Sequence, residues 1–134
     1  MKEYINWKQI NEYVGDLVTK IDQKNYKNIF GIPRGGLIPA VMLSYELEIP
    51  LINRINDITD KTLIVDDISD TGNTLISLIK KLDFKPDIAT IHYHNNTKVV
   101  PNYTLIEKTD NWIVYPWEAK AKGKEVVDGT FRFF

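Results

Sequence analysis

The stretch Thr62-Leu63-Ile64-Val65-Asp66-Asp67-Ile68-Ser69-Asp70-Thr71-Gly72-Asn73-Thr74-Leu75 constrains the fold more than any other part of the chain. Residues 62–65 are apolar or β-branched and read as a buried strand, which delivers two adjacent carboxylates, Asp66 and Asp67, to the edge of a sheet. A short polar turn follows, and a helix begins at Gly72-Asn73-Thr74. Gly72 is free to take positive φ and let a ligand approach the backbone, and Thr71 and Thr74 add hydroxyl donors. Strand, acid pair, small-residue loop and helix start together suit a phosphorylated sugar. The loop N–H groups face a phosphate, while the carboxylates hold ribose hydroxyls and a divalent metal. Helix capping by Asp70 or Thr71 explains either residue alone, but it leaves the acid pair unexplained. Neighbouring carboxylates repel unless a metal or hydroxyl donors compensate.

At 134 residues, 43% of them hydrophobic and 26% charged, the chain reads as one globular domain spanning 1–134. A net charge of −1 without a basic run argues against a nucleic-acid partner. The absence of cysteine excludes disulfides and thiolate metal sites and fits a reducing compartment. The longest clean apolar stretch, 37–43, is too short to span a bilayer, and the start lacks a signal-peptide pattern. A cytoplasmic location without membrane contact is the expectation.

Asn6 with Gln9 resembles a capping box, and Trp7, Ile10, Val14, Leu17, Val18 and Ile21 recur at helical spacing, so a helix is expected over 7–21. A short strand over 28–32 ends at Pro33-Arg34-Gly35-Gly36, and a second helix runs over 37–47 with Pro39 in its first turn. Strands are expected at 51–55 and 61–67. A third helix from about residue 72 carries Leu75, Leu78, Ile79 and Leu82 on one face. Further strands fall at 88–94, 103–107 and 112–115. Nearly continuous apolar strands alternating with helices imply an α/β fold, a mainly parallel sheet with helices on both faces. In the tail after Glu118, Phe131, Phe133 and Phe134 suggest an apolar end that docks.

Arg34-Gly35-Gly36 alone is compatible with an ordinary strand-to-helix turn. Beside the second loop, its guanidinium and bare glycine amides suit a pyrophosphate. Both loops follow strands and precede helices, which puts them at the carboxyl edge of the sheet, where ligands of open α/β folds bind.

These blocks resemble the type I phosphoribosyltransferases, whose signature is an apolar strand, two acidic residues and an Asp-Thr-Gly-x-Thr loop. The match is closer to the bacterial xanthine-guanine and hypoxanthine enzymes through Gly-Ile-Pro-Arg-Gly-Gly-Leu-Ile-Pro at 31–39, the 66–74 run, and Asp-Asn-Trp-Ile-Val-Tyr-Pro-Trp-Glu at 110–118. Tyr4-Ile5-Asn6-Trp7 and the first helix also fit. The resemblance implies a single-domain fold with a reduced hood and a shortened flexible loop. It implies Mg²⁺-dependent transfer of the phosphoribosyl group from phosphoribosyl pyrophosphate to a purine base, a 6-oxopurine first among them, in purine salvage, by a homo-oligomer.

Carried over by motif, Arg34, Gly35 and Gly36 would hold the pyrophosphate, with a cis peptide bond preceding Arg34. Asp66 and Asp67 would bind the ribose hydroxyls directly or through Mg²⁺. Asp70, Thr71, Gly72, Asn73 and Thr74 would cradle the 5′-phosphate. Asp70 would also face the purine and accept its imidazole proton, a modest contribution since a carboxylate is a weak base at neutral pH. Trp112 would stack on the purine, with the backbone around Ile113 and Val114 reading its edge. Without the motif, Trp112 and Trp117 read as core aromatics. Glu118 is a weaker metal candidate.

Two departures from the family pattern stand out. The family's base-recognising lysine on the strand after the third helix falls near His94, which donates to a 6-oxo group more weakly than a permanent cation, with Lys98 a few residues later. His92 and His94 share a strand face, a spacing open to a metal pair but more often met in packed or surface histidines. The long mobile loop of relatives shrinks to Asn56-Asp57-Ile58-Thr59-Asp60, with Arg54 beside it as a further charge for pyrophosphate or a solvated side chain. Two alternatives therefore stay open: a non-catalytic sensor of nucleotide or phosphoribosyl pyrophosphate on the same scaffold, and a transferase for another base.

Overall fold

The computed structural model describes residues 1–118, so the apolar end expected from Phe131, Phe133 and Phe134 lies outside the described residues. The first helix, α1 (Trp7–Lys20), starts as the Asn6 and Gln9 pair dictates. The Gln9 N–H donates to Asn6 Oδ1 at 2.8 Å and the Asn6 N–H to Gln9 Oε1 at 2.9 Å, satisfying two orphan donors at once. Ile10, Val14 and Leu17 form its buried stripe, and helical hydrogen bonding ends at Ile21.

Strands β2 (Asn28–Gly31), β3 (Leu51–Ile52), β4 (Thr62–Ser69), β5 (Asp87–His94) and β6 (Ile106–Lys108) form one sheet in the order β3-β2-β4-β5-β6. Every neighbouring pair is parallel. Strands β1 (Lys2–Tyr4) and β7 (Trp112–Val114) pair in parallel as a separate two-stranded ribbon. Successive strand residues point to opposite faces, and both faces are apolar, so two cores result. Ile29, Leu63, Val65, Ala89 and Ile91 join α1 and α2 (Leu37–Leu47) on one side. Phe30, Ile64 and Ile88 join α3 (Asn73–Ile79) on the other. No helix among the described residues is long and apolar enough to cross a membrane.

Several boundaries differ from expectation. The acid pair lies within β4 rather than at its end, because the β4–β5 ladder continues through Asp66 opposite Thr90 to Ser69 opposite Tyr93. The strand expected over 51–55 stops at Ile52, and Ile55–Asp57 closes a 3₁₀ turn. That turn is followed by mutual Thr59 and Thr62 hydrogen bonds of 2.9 and 3.1 Å, with Ile58 buried beneath, so the segment is a compact connection. The third helix ends at Ile79, and Leu82 packs on the core from the turns that follow. The strand expected over 103–107 is split. Tyr103 bridges Ala89, and the regular ladder resumes at Ile106 and reaches Lys108.

Candidate active site

The topology decides where the two loops open. From β2 the chain crosses through α2 to β3 on one side, and from β4 it crosses through α3 to β5 on the other. The loops after β2 and β4 therefore diverge from adjacent strands, leaving a crevice at a topological switch point.

Residues 33–36 fill one side of that crevice, with the expected cis peptide bond between Pro33 and Arg34. The Gly36 N–H donates to Ile32 O at 2.8 Å, which folds the loop back on its strand. A methyl group at Gly35 would collide with the Asp67 carboxylate, and one at Gly36 with Val65 O and the Asp66 Cα. The glycines thus let the backbone lie directly against the acid pair, and two loops distant in sequence form one surface. Arg34 is exposed, and its charge is felt at Glu118.

Asp66 is 7% exposed, and its Oδ1 accepts the Asp67 N–H at 2.9 Å. Burial and then the charge of Asp67 push the Asp66 carboxyl well above the usual carboxylate range. Burial pushes Asp67 up to about 6. Two such neighbours are hard oxygen donors of the type that holds Mg²⁺ beside its waters and substrate oxygens, and a divalent cation relieves the repulsion between them. Among the described residues no group of three or more His, Cys, Asp or Glu converges as a metal cage.

The raised proton affinity of Asp67 carries a stability prediction. The folded state holds this proton more tightly than the unfolded chain does. The resulting stability is present at low pH and is lost as pH rises through about 6. Asp67→Asn is uncharged throughout, so it should be more stable than the parent at pH 8 by about 1–3 kcal/mol, the gap closing toward pH 4. Burial lowers His92 to about 4, which acts in the opposite sense, but the difference between variant and parent cancels it. Thermal unfolding of both proteins across that range checks this; a gap independent of pH contradicts it.

On the other side of the crevice, Gly72 opens α3 with φ of 89°, the left-handed region that glycine tolerates. A Cβ there would meet Thr97 Oγ1 and Val99 N at 2.9 Å, so space as well as conformation selects glycine. Residues 97–99 brace this loop. The Lys98 N–H donates to Thr71 O at 3.0 Å, Lys98 Nζ donates to Asn73 Oδ1 at 3.1 Å, and Ser69 Oγ donates to Val99 O at 2.7 Å. Thr71, Asn73 and Thr74 are exposed, and the Asn73 N–H donates to Thr71 Oγ1 at 3.2 Å, so the loop is held from within as well as by residues 97–99.

Asp70 meets a residue that the sequence reading missed. Lys108 Nζ donates to Asp70 Oδ2 at 3.0 Å, and the lysine side chain is only 7% exposed. In the β5–β6 register His94 lies opposite Lys108, and the β4–β5 register, extended by one residue, sets Asp70 level with His94. Lys108 thus reaches the position beside Asp70 from one strand further out. His94 itself accepts the Asn96 N–H on Nδ1 at 3.0 Å and turns Nε2 toward Asp110 at 3.6 Å. The ring is held by its own turn, and the cation next to Asp70 is Lys108. The signal in the sequence is a lone lysine one residue beyond the strand expected over 103–107, and the ladder runs on to include it.

Trp112 is 43% exposed at the start of β7, whereas Ile113 and Val114 are buried. Trp117 stacks on Tyr115 with ring centroids 4.9 Å apart, and its buried Nε1 has no hydrogen-bond acceptor among the described residues. Glu118 Oε1 accepts the Tyr115 N–H at 2.8 Å, a local cap for the chain leaving β7. His92 bonds to Tyr115, and with His94 turned to Asn96 and Asp110 the two histidines do not share a ligand-like geometry. Arg54 is exposed ahead of the 3₁₀ turn.

No family model matches the chain. A purine phosphoribosyltransferase from Pyrococcus horikoshii Ot3, known from its crystal structure, is 38% identical, with a TM-score of 0.73 over 87% of this chain and 93% of that one. The xanthine-guanine phosphoribosyltransferase of Desulfotalea psychrophila is 28% identical over 140 residues, 88% of this chain and 87% of its own. The xanthine-guanine-hypoxanthine phosphoribosyltransferase of Helicobacter pylori shares the fold, with a TM-score of 0.78 at 23% identity over 91% of this chain and 97% of that one.

Proposed function

This chain belongs to the type I phosphoribosyltransferases, and on that premise we propose that it transfers the phosphoribosyl group of phosphoribosyl pyrophosphate to a 6-oxopurine in nucleotide salvage. A ring nitrogen of the base bonds to the ribose carbon, the bond from that carbon to the pyrophosphate oxygen breaks, and the base gives up its ring proton. One observation carries this reading: Gly35 lies against the Asp67 carboxylate, so a pyrophosphate loop and a ribose floor share one crevice. The purine in the names of the relatives supports the choice of base.

In this reading Arg34, Gly35 and Gly36 bind the pyrophosphate, and residues 70–74 bind the 5′-phosphate through backbone N–H groups and the Thr71 and Thr74 hydroxyls. Asp66 and Asp67 would hold the ribose hydroxyls and Mg²⁺. When bound, that ion neutralises charge on the departing pyrophosphate. Trp112 covers one face of the purine with Ile113 beside it. Asp70 accepts a strengthening hydrogen bond from the imidazole edge as the ribose carbon gains positive character. The protein acts as a homo-oligomer, which sedimentation tests.

Lys108 supports the 6-oxo preference. An ammonium beside Asp70 donates to an oxygen at position 6 and meets the amino group of adenine donor to donor. Lys108→Met is expected to lower kcat/KM for hypoxanthine and guanine by about 10–100-fold, the worth of a hydrogen bond to a charged group, with little effect on adenine. The function itself is tested by incubating the protein with phosphoribosyl pyrophosphate, Mg²⁺ and hypoxanthine, guanine, xanthine or adenine in turn. Nucleotide is the expected product, most from the 6-oxopurines. Sugar-phosphate binding without product from any base would instead support the sensor.

A further inference from the structure

β7 pairs with β1 and lies outside the five-stranded sheet, so no strand ladder sets the height of the Trp112 segment above the acid pair. Two hydrogen bonds through one phenol oxygen link it to β4 and β5 instead. Tyr115, the residue after β7, is 2% exposed, and its Oη donates to the backbone carbonyl of Asp67 at 3.1 Å. The same oxygen lies 2.7 Å from Nδ1 of His92, which is 1% exposed on β5. A carbonyl only accepts, and a phenol has a single proton, so the phenol oxygen must accept from His92. The imidazole is therefore the Nδ1–H tautomer. Its ring is held edge-on by Tyr13 of α1 at 5.9 Å and by Tyr115 at 5.5 Å. The backbone so gripped belongs to the residue whose carboxylate abuts Gly35.

We propose that His92 and Tyr115 are positioning residues, joined through one phenol oxygen, which lock the base-binding ribbon to the ribose-binding strand. Neither touches substrate. Their effect is to keep base and ribose carbon in line while the bond between them forms, where a small displacement is costly. This inference rests on the proposed function, since it assigns the base to the ribbon and the ribose to β4.

Three variants and one spectrum test it. Tyr115→Phe keeps the ring and its stacking but removes the shared oxygen's proton and lone pairs. His92→Leu removes the donor, and His92→Asn restores an N–H at the same number of bonds from the backbone. Tyr115→Phe and His92→Leu are expected to lower kcat by more than about twofold and up to about tenfold, the range of one neutral hydrogen bond. Phosphoribosyl pyrophosphate affinity should stay near that of the parent, and His92→Asn should regain most of the kcat. A packing role alone lowers Tm and leaves kcat within about twofold. That result, or a loss that His92→Asn does not regain, overturns the proposal. In the parent, ¹⁵N-detected imidazole couplings must report the Nδ1–H tautomer of His92 whether or not any variant folds; the Nε2–H form overturns it equally. If the parent makes no nucleotide from any purine, the transferase reading fails by itself. The lock is then judged by the tautomer and by guanosine 5′-monophosphate, which spans ribbon and strand and should bind Tyr115→Phe more weakly, with inorganic pyrophosphate unaffected; equal nucleotide affinity overturns it.

Discussion

Gly35→Ala is expected to cost at least about a hundredfold in kcat/KM, more than its size suggests, because of what lies opposite. A Cβ at this position falls on the Asp67 carboxylate, 2.7 Å from Cγ and 3.0 Å from Oδ1. The methyl group fits only if the carboxylate turns away from the ribose side or the loop lifts off β4. Either movement is on the order of 1 Å between the groups assigned to ribose and pyrophosphate, and such a misplacement in an alignment-driven reaction costs about 10²-fold. Folding should suffer less, by about 1–3 kcal/mol for overpacking at a partly open site. Gly15→Ala is the matching control. It sits in α1 with nothing within 4 Å of its would-be Cβ, so it should stabilise by about 0.5–1 kcal/mol and leave activity alone. Steady-state kinetics of both variants, with pyrophosphate binding followed separately, decide the matter. Activity in Gly35→Ala equal to that of the parent would mean that the two loops do not act as one surface.

Asp70→Asn should lower kcat by about 10–100-fold while changing phosphoribosyl pyrophosphate affinity only a few-fold. Asparagine has the shape of aspartate and still accepts a hydrogen bond, but it lacks the charge that, in the proposed reading, faces the imidazole edge of the base, and the loss of a hydrogen bond to a charged group has this magnitude. In the proposed reading the phosphates are held elsewhere, by backbone groups at 34–36 and 71–74, so ground-state binding should persist. The substitution also leaves Lys108 without its carboxylate. An ammonium with a side chain 7% exposed is costly to strand, and about 1–3 kcal/mol of stability should be lost with the activity. The double variant Asp70→Asn/Lys108→Met should recover much of that stability and none of the turnover, a non-additivity expected of contacting residues. If Asp70→Asn turns over as fast as the parent, Asp70 has no part in the proton movement.

The two substitutions differ in how far the sequence foretold them. That Asp70 begins a polar loop between a strand and a helix follows from its neighbours, since an apolar strand runs into it and Gly72 and Thr74 follow. That Gly35 abuts Asp67 is a contact between segments 32 positions apart, and no local pattern records it. The compact turn over 55–61 lies between these extremes, because its brevity was plain while its 3₁₀ geometry and the burial of Ile58 were not. His94 and Lys108 show a second contact of the non-local kind. His94 lies at the expected level of the sheet, yet the cation at that level stands on the next strand as Lys108.

Residue order by itself determined the alternation of strands and helices, the Asn6 and Gln9 cap, and the chemistry of both loops. Hydrophobic period, capping and turn conformation depend on residues a few positions apart, and these interactions survive in any fold that contains the segment. Tertiary structure alone decided which side chains meet: Gly35 with Asp67, Lys108 with Asp70, and Tyr115 between His92 and the Asp67 carbonyl. The third depends on how the β1–β7 ribbon packs beside the sheet, and the first two on strand order and register across it. A shift of one residue there turns every side chain to the opposite face, and the forces that set register are spread over both cores rather than written beside the residues they bring together.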